Sequence, residues 1–544
     1  MSISSRIIAK LCKLPPAETH DIVVERGLEI PMHDGVILLA DRYYPRGSNK
    51  LPTILFRTPY GRANINGLTG RFFAERGFQV LLQSCRGTFG SGGEFNPMHT
   101  EKDDGLATVE WMKKQEWFSG EFATVGGSYL GYVQWAIAGN AGPELKAMVP
   151  QITASDFHGK ISPNGSFTLS DGITWANMIC TQENSALSLF TSMFSSRKLQ
   201  PAFTHLPLCD VDSLVMGKKV QFWQDWIEHI EPGDEWWESI DHSGKVAEVT
   251  APVSFVGGWY DAFLPWMMKD YITLKKAGRK PYLMIGPWPH MSMNMMFKEG
   301  ITEPIAWLKA QILGDRSQLR EAPVRFFVMG AKEWREFPEW PPPGYKPQNW
   351  YLHSQGGLSI DTPVESEPDQ YLYDPADPTP NVGGAILNMK AGAKDNRSLE
   401  ARADVLVYTS EILKDDLEVI GPVNAELFVK SSLEHTDFFV RLCDVYSSGK
   451  SINICDGILR LRPGQPAREK DGIIKVNIEM WPTAYRFSKE HRVRLQVSSG
   501  AHPLFARNLG SGEPLATGTT LKVADQMIYH DPAHPSAVIL PVLE

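Results

Sequence analysis

One eight-residue segment restricts the fold of this chain more than any other, TVGGSYLG at residues 124–131. A short β-type run enters a turn of small residues, and a helical pattern through Ala138 follows. A serine in such a turn lies at a helix N-terminus, where glycine neighbours let the backbone bend sharply. The spacing departs from strict G-x-S-x-G, because the second glycine, Gly131, comes three residues after Ser128. Taken alone, the segment is explained equally well by a tight strand-to-helix turn without chemistry.

Short apolar runs and helical patterns alternate over the first 150 residues and again from about residue 250. A β-hairpin is predicted at the start, from two alternating segments that flank a His-Asp-Gly turn at residues 33–35. Helical patterns begin near Gly70 and after Asp103. Between such patterns lie continuous apolar runs, typical of strands buried on both faces, at 52–56, 78–82, 123–125, 146–149, 253–256 and 282–285. This order predicts the α/β class, with a mostly parallel sheet covered by helices.

The alternation stops between residues 150 and 245, where aromatic residues and helix formers dominate. We interpret this stretch as a helical cap inserted into the α/β domain, which is then discontinuous and spans residues 1–149 and 246–345. The aromatic residues in the stretch include Trp175, Phe190, Phe194, Phe222, Trp223, Trp226, Trp236 and Trp237.

A proline-rich stretch after Trp340, PPPG at residues 341–344, indicates a linker. Beyond it, β-type segments recur at 405–408, 425–429 and 493–497, separated by turn residues. This pattern predicts an all-β sandwich over residues 346–544.

Charge and composition exclude several classes of function. The formal net charge of −9 and a pI near 5.9 argue against an extended phosphate-binding surface, so nucleic acid is not an expected partner. No apolar run reaches the roughly 18 residues that a membrane-spanning helix needs. The apolar stretch at residues 7–12 is interrupted by lysine and lacks a small-residue cleavage site. We therefore expect a cytoplasmic protein with no membrane partner.

The sequence also offers no pattern for a metal or a nucleotide. Its six cysteines are scattered without a C-x-x-C pair, and we interpret them as mostly reduced and buried. H-E-x-x-H and the P-loop motif are absent, and residues 87–93 do not match G-x-G-x-x-G. No metal and no other cofactor is expected.

Two later loops complete a candidate catalytic set with Ser128. Asp261 follows the strand predicted at 253–256, and His290 follows the strand predicted at 282–285. Serine, then acid, then histidine, each after a strand, is the chain order of a hydrolase triad, and such loops bind ligands in α/β sheets. His290 would take the Ser128 proton during attack on a carbonyl, and Asp261 would orient the imidazole and stabilise the imidazolium. Singly, each of these residues is more readily explained as structural, so the interpretation depends on the ordered set.

These motifs resemble those of the cocaine esterase-like hydrolases, which belong with the X-Pro dipeptidyl-peptidase-like family. The resemblance covers nearly the whole chain and rests on GGSYLG (126–131), GWYDAF (258–263), GPWPH (286–290), RG (86–87), GSGGEF (90–95) and SSGAHP (498–503). It implies an α/β-hydrolase core, a helical cap inserted after the sixth strand, and a C-terminal all-β jelly-roll domain.

The resemblance also implies further site residues. An oxyanion hole would be formed by the hydroxyl of Tyr60, in RTPYG at 57–61, and by the backbone amide of Tyr129. Phe263 would line the acyl pocket, and Trp175 from the cap would close it. An aromatic pocket favours hydrophobic acyl groups because it buries them without polar partners.

The expected substrate is a small-molecule ester or amide. We expect a serine hydrolase that cleaves carboxylic esters with a hydrophobic or aromatic acyl group. An acylase or X-Pro dipeptidyl peptidase that cleaves amides is the alternative. The related α-amino acid ester hydrolases place carboxylates just after the catalytic acid to hold a substrate ammonium, whereas Ala262 and Phe263 stand there in this chain. A peptidase would also need an acidic clamp for the amine, for which the cap acids Glu235 and Glu238 are candidates.

A third interpretation belongs to a different class, a carbohydrate-binding protein with an idle triad. The sequence does not identify the physiological substrate. It leaves the oligomeric state open, a homo-oligomer included.

Overall fold

The structure is a computed structural model that describes residues 2–48, 50–184, 196–231, 233–464 and 472–543. Within these residues, the α/β part of the chain forms one ten-stranded sheet in the order β1-β2-β4-β3-β5-β6-β7-β8-β9-β10. The strands are β1 Ile22–Pro31, β2 Ile37–Pro45, β3 Leu51–Thr58, β4 Gln79–Ser84, β5 Phe118–Gly127, β6 Leu145–Gln151, β7 Ser254–Tyr260, β8 Tyr282–Pro289, β9 Val324–Val328 and β10 Glu333–Phe337.

The central strands of this sheet, from β4 to β9 in sheet order, are parallel. β1 and β2 form the predicted hairpin, and β2 pairs antiparallel with β4. Every residue of β4 and of β7 is buried, as the continuous apolar runs predict for strands covered on both faces. The helices of this part are Ser2–Leu11, Asn64–Ala74, Glu101–Lys113, Tyr129–Ala138, Leu264–Lys276, Met293–Met296 and Glu299–Ile312.

The cap lies between β6 and β7, after the sixth strand as the resemblance implies. Its core is aromatic, with Trp223 and Trp226 almost fully buried and Trp226 packed against Phe157 and Phe222. Phe190 and Phe194 lie outside the described residues. The described α-helices of the cap are Phe157–Ile161, Leu169–Thr181, Ser196–Thr204, Val211–Met216 and Gln221–Glu228.

The C-terminal part is all-β, as predicted, and its described residues include one short α-helix, Arg397–Glu400, and a 3-10 turn, Ser354–Gly356. Its finer assignment to a jelly roll and the exact domain boundaries remain predictions. Among the described residues its strands are β11 Tyr345–His353, β12 Gly357–Ser359, β13 Asp369–Tyr373, β14 Leu406–Ser410, β15 Leu417–Gly421, β16 Asn424–Ser431, β17 Thr436–Val445, β18 Ser451–Leu461, β19 Ile474–Glu479, β20 Thr483–Phe487, β21 Arg492–Ser498, β22 Ala524–Tyr529 and β23 Ala537–Leu543.

The proline-rich connection before β11 is packed rather than loose. Trp340 is 4% exposed and contacts Trp259 and Phe326 of the α/β core. Hydrogen bonds also join the all-β part to the rest of the chain. The Tyr260 hydroxyl donates to the Asn453 carbonyl at 3.0 Å, and further bonds join Ser170 to Pro503, Phe167 to Ala506, and Met329 to Ala484. The all-β part is therefore joined by direct contacts both to the α/β core and to the cap.

Candidate active site

Ser128 lies in a strained turn between β5 and the helix Tyr129–Ala138. Its φ of 57° and ψ of −125° place a residue with a side chain in a region that L residues rarely adopt, at a cost on the order of 1–3 kcal/mol. Tight packing around the turn maintains this conformation. A Cβ on Gly126 would lie 2.4 Å from Cβ of Leu130, and one on Gly131 would lie 2.2 Å from Cγ2 of Thr153. The glycine three residues after the serine is thus needed for a close contact with the loop after β6.

His290 connects Ser128 to Asp261. Its Nε2 lies 3.0 Å from the Ser128 hydroxyl oxygen, and its Nδ1 lies 2.6 Å from Oδ2 of Asp261. Asp261 and His290 are 1% and 6% exposed. The second carboxylate oxygen of Asp261 accepts the backbone N–H of Phe263 at 2.9 Å. Three loops from distant parts of the chain therefore bring the predicted serine, histidine and acid into one hydrogen-bonded series.

Tyr60 follows β3 and faces the same serine. Its phenolic oxygen accepts the indole N–H of Trp175 at 3.0 Å. Burial raises the pKa of Tyr60 to about 12, although its hydrogen bonds with Trp175 and Ser128 act in the opposite direction. The phenol is therefore protonated over the ordinary range of pH and retains a proton to donate.

Tyr129 contributes to the site in two ways. As the first residue of its helix, its backbone N–H has no acceptor within the helix. Its hydroxyl donates to Glu101 and accepts the backbone N–H of Met98, both at 2.8 Å, while its ring stacks on Trp175 with centroids 6.0 Å apart. Glu101 in turn pairs with Arg57 at 2.8 Å, and both side chains are 1% exposed. A buried polar network thus holds the helix N-terminus beneath the serine.

A cavity opens at Ser128 and His290 between the core and the cap. Phe263 and Trp175, which the resemblance assigns to the acyl pocket, both line it, and the Phe263 ring lies 5.4 Å from the His290 ring. Most of the other lining residues are apolar or aromatic. They are Met98, Tyr129, Tyr132, Phe157, Ile161, Gly172, Trp226 and Leu387.

Three polar residues of the cavity wall were not predicted from the sequence. Lys160 and Asp171, both in the cap, form a buried ion pair at 3.1 Å, and Thr153 follows β6. Oδ1 of Asp171 accepts the backbone N–H of Leu387 at 2.8 Å, so the all-β part also contributes to the cavity. Asp171 and Leu387 are 216 residues apart, and no local pattern in the sequence marks such a contact.

The proposed amine clamp is not at the cavity. Glu235 and Glu238 are both exposed, and neither is among the residues that line it. Because Asp171 is already bonded to Lys160 and Leu387, the described part of the chain presents no free carboxylate to an ammonium there.

Comparison with known proteins places the chain in a family. Residues 34–292 match the X-Pro dipeptidyl-peptidase (S15) family, and residues 318–539 match the X-Pro dipeptidyl-peptidase C-terminal non-catalytic domain. Cocaine esterase from Rhodococcus sp. (strain MB1 Bresler) is 32% identical over 96% of this chain and 99% of its own length. The chain belongs to the cocaine esterase-like hydrolases of the X-Pro dipeptidyl-peptidase family. It is accordingly a serine hydrolase, and the family predicted from its motifs is confirmed.

Solved structures confirm the fold of this cocaine esterase-like hydrolase. An α-amino acid ester hydrolase matches with a TM-score of 0.81 and 22% identity over 97% of this chain and 98% of that chain. An aminopeptidase from the marine sediment archaeon Thaumarchaeota archaeon matches with a TM-score of 0.78 and 23% identity over the same shares. At these identities the likeness concerns the α/β core, the cap and the all-β part, and not the substrate.

The cysteines are not paired in disulfides. All six cysteines are free thiols, of which Cys85, Cys443 and Cys455 are buried and the other three half-buried. Within the described ranges, no group of three or more His, Cys, Asp or Glu side chains is arranged to hold a metal ion. None of the helices described here is long and apolar enough to cross a membrane.

Proposed function

We propose that this serine hydrolase cleaves carboxylic esters of hydrophobic or aromatic acyl groups, through an acyl-enzyme on Ser128. One observation carries the proposal, the series of short contacts from the Ser128 hydroxyl to Nε2 of His290 at 3.0 Å and from Nδ1 to Asp261 at 2.6 Å. A neutral imidazole that donates from Nδ1 to a buried carboxylate presents Nε2 as a base toward the serine.

The first half of the reaction forms the acyl-enzyme. His290 accepts the hydroxyl proton as the Ser128 oxygen attacks the ester carbonyl, and Asp261 stabilises the resulting imidazolium. The imidazolium then gives its proton to the leaving alcohol as the carbon–oxygen bond to that alcohol breaks. In the second half, water attacks the acyl carbon, His290 accepts its proton, and that proton returns to the Ser128 oxygen as the acid leaves.

Two donors would stabilise the oxyanion that forms in each half. The Tyr60 hydroxyl can donate because its oxygen accepts from Trp175 while its own proton is retained. The backbone N–H of Tyr129 is the second donor, at the N-terminus of a helix where anions are favoured. Removal of one donor from such a site typically lowers kcat by about 10²–10³-fold.

The acyl preference is inferred from the cavity wall. Phe263, Trp175, Phe157 and Trp226 surround the space next to the serine with ring surface, and such a wall binds apolar groups through the area that it removes from water. Esters with larger apolar acyl groups are therefore expected to be turned over faster than acetate esters.

A fluorophosphonate probe tests the assignment directly, because it labels only an activated serine. The wild-type protein is expected to be labelled, and Ser128→Ala is expected to abolish labelling and to lower p-nitrophenyl ester turnover by about 10⁴-fold or more. Ser239→Ala, which removes an exposed cap hydroxyl that is bonded to His99, is the matched control and is expected to be labelled normally. An unlabelled wild type would instead favour the binding protein with an idle triad.

Amide cleavage is the second candidate, because the matched family is named for X-Pro dipeptidyl peptidases. The same protein should be offered a p-nitrophenyl ester and Ala-Pro-p-nitroanilide. We expect the ester to be cleaved much faster, since Glu235 and Glu238 are not at the cavity to hold the peptide ammonium. Faster anilide cleavage would reverse the order of the two proposals.

A further inference from the structure

An ion pair lies in the mostly apolar wall of the acyl cavity. Lys160, in the helix Phe157–Ile161, is 4% exposed, and Asp171, in the first turn of the helix Leu169–Thr181, is 2% exposed. The ammonium nitrogen lies 3.1 Å from Oδ2 of Asp171. Burying two charges has a large desolvation cost, and an apolar pair of similar size is often as stable or more stable. The pair therefore calls for an explanation beyond packing.

Contacts within the fold explain the burial of Asp171 better than they explain the burial of Lys160. Asp171 accepts the backbone N–H of Leu387 and stands at a helix N-terminus, where a negative charge is favoured. Lys160 has three N–H donors, yet in the described ranges its one hydrogen-bond acceptor is Asp171. Its nitrogen also lies 5.5 Å from the centre of the Phe263 ring, a favourable contact that uses no hydrogen bond. Lys160 therefore has N–H groups on the cavity wall that can donate to a ligand.

Thr153 provides a second, independent observation. Its side chain is fully buried on the wall of the same cavity, and its hydroxyl has no hydrogen-bond partner within the described part of the chain. A buried hydroxyl without a partner costs free energy that a valine of the same shape would not. A ligand that bonds to this hydroxyl would remove that cost.

We propose that Lys160 and Thr153 form a polar subsite of the acyl cavity that binds a neutral oxygen of the acyl group, such as a ketone or ether oxygen. This inference rests on the ester hydrolysis proposed above and names the class of acyl group. The centre of the Phe263 ring lies 5.5 Å from the Lys160 nitrogen and 5.4 Å from the centre of the His290 ring. The subsite is therefore placed on the far part of the acyl chain, several bonds beyond the ester carbonyl.

The charge balance decides which polar group fits. Asp171 already neutralises Lys160, so a carboxylate on the acyl group would add an uncompensated negative charge to a buried site. An ammonium would face the Lys160 ammonium at close range and find both Asp171 oxygens occupied. A neutral acceptor takes the free N–H donors without adding charge.

Four p-nitrophenyl esters with acyl chains of six carbons test the subsite. They are the hexanoate, the 5-oxohexanoate, the 6-aminohexanoate and the monoester of adipic acid. In the wild type, the kcat/KM of the 5-oxohexanoate, corrected for its uncatalysed hydrolysis, is expected to exceed that of the hexanoate about tenfold, which is the value of a hydrogen bond to a charged donor. The amino and carboxylate esters are expected to be poorer than the hexanoate.

Variants test which residues cause this preference. For each variant, the kcat/KM for the 5-oxohexanoate is divided by the kcat/KM for the hexanoate, so that a general loss of activity cancels. Thr153→Val is expected to lower the ratio about threefold, and the double variant Lys160→Met/Asp171→Asn is expected to bring it close to one. The double variant avoids a buried unpaired carboxylate and keeps an oxygen for the N–H of Leu387. Lys245→Met, which breaks an exposed ion pair with Glu248, is the control and should keep the wild-type ratio.

Two results would overturn the subsite. One is a wild-type ratio near one or a preference for the adipate monoester, and the other is a tenfold ratio that persists in the double variant. Calorimetric binding of methyl hexanoate and methyl 5-oxohexanoate to Ser128→Ala protein repeats the comparison without turnover. A protein that binds the oxo ester more tightly but cleaves neither p-nitrophenyl ester would disprove the proposed hydrolysis and keep the subsite.

Discussion

The indole N–H of Trp175, in the cap, donates a 3.0 Å hydrogen bond to the phenolic oxygen of Tyr60, in the loop after β3. The indole ring also stacks on Tyr129, the residue that follows the serine. The resemblance assigns Trp175 to the acyl pocket, but its polar atom contacts a candidate oxyanion donor. Because the indole N–H donates to the Tyr60 oxygen, the phenolic proton cannot be donated to the indole and is free to bond to another acceptor.

Trp175→Phe is therefore expected to lower kcat about tenfold, because the aromatic surface is kept while the N–H that orients Tyr60 is lost. Trp226→Phe is the control, since Trp226 lines the same cavity and packs against Trp175. It should affect KM more than kcat. In a double-mutant cycle the effects of Trp175→Phe and Tyr60→Phe should be strongly non-additive, because both act through one phenol. Additive effects would show that Trp175 only fills space.

Two glycines of the turn around Ser128, Gly131 and Gly127, provide a matched pair of substitutions. A Cβ at position 131 would meet Cγ2 of Thr153 at 2.2 Å, whereas one at position 127 would meet Cγ1 of Ile152 at 3.3 Å. Gly131→Ala is expected to lower the free energy of unfolding by about 1–3 kcal/mol and to reduce kcat through displacement of Ser128. Gly127→Ala should cost less than about 1 kcal/mol. Urea unfolding and ester kinetics on both variants measure this, and equal effects would contradict it.

Much of the fold was predictable because its signals are local. Continuous apolar runs separated by helical patterns predicted six strands of the α/β sheet, and the order of serine, acid and histidine after three of them indicated which loops meet. The last two strands of the sheet, β9 and the edge strand β10, were missed, although Val324–Val328 alternates in burial as a strand does. A five-residue alternating segment is weak evidence for a strand, and the nearby proline-rich stretch favoured a linker instead.

The polar part of the cavity was not predictable from the sequence, because its contacts have no local pattern. A lysine in a short cap helix and an aspartate eleven residues later read as ordinary surface charges until tertiary packing buries them. The contact of Asp171 with Leu387 spans 216 residues. Likewise, Tyr60 was assigned through the resemblance alone, since a tyrosine in a loop carries no signal of its own.

Asp270 makes stability depend on pH in a direction that can be checked. Burial, with a smaller contribution from the charges of Asp156 and Asp241, raises the pKa of Asp270 to about 7 in the folded state, although bonds from Ser155 oppose this shift. The folded state therefore keeps the proton between about pH 4 and 7 while the unfolded state loses it. Folding stability is lost across that window by up to ~4 kcal/mol as the pH rises, and levels off above it.

Asp270→Asn removes this titration. Its free energy of unfolding relative to the wild type is expected to increase from pH 4 to pH 7 and then stay constant, as measured by urea unfolding at each pH. Asp361→Asn, at an exposed position, is the control and should show no such trend. A difference between Asp270→Asn and the wild type that is independent of pH would contradict the shifted pKa.

Arg441 supports the loop that carries Leu387. Its guanidinium is fully buried, pairs with Asp456 at 2.8 Å, and donates to the Val382 carbonyl and to the Asn381 side chain. Arg441→Lys keeps the charge but loses the planar fork. We expect a loss of roughly 2–4 kcal/mol in the free energy of unfolding, from several charged hydrogen bonds, and a higher KM as Leu387 shifts.

Arg397→Lys is the matched control for this prediction, because Arg397 is more than half exposed and pairs with Asp395. It is expected to change the free energy of unfolding by less than about 0.5 kcal/mol. If Arg441→Lys lowers stability but leaves KM unchanged, the loop that carries Leu387 does not affect substrate binding, and this prediction is wrong.

Leu387 belongs to the part of the chain that matches a domain named non-catalytic, yet its backbone holds Asp171 and its side chain borders the cavity. A fragment cut after β10 would keep serine, histidine and acid but leave Asp171 short of a donor and one side of the chamber open to solvent. We therefore expect discrimination among acyl chains to depend on the all-β part as well as on the core and the cap.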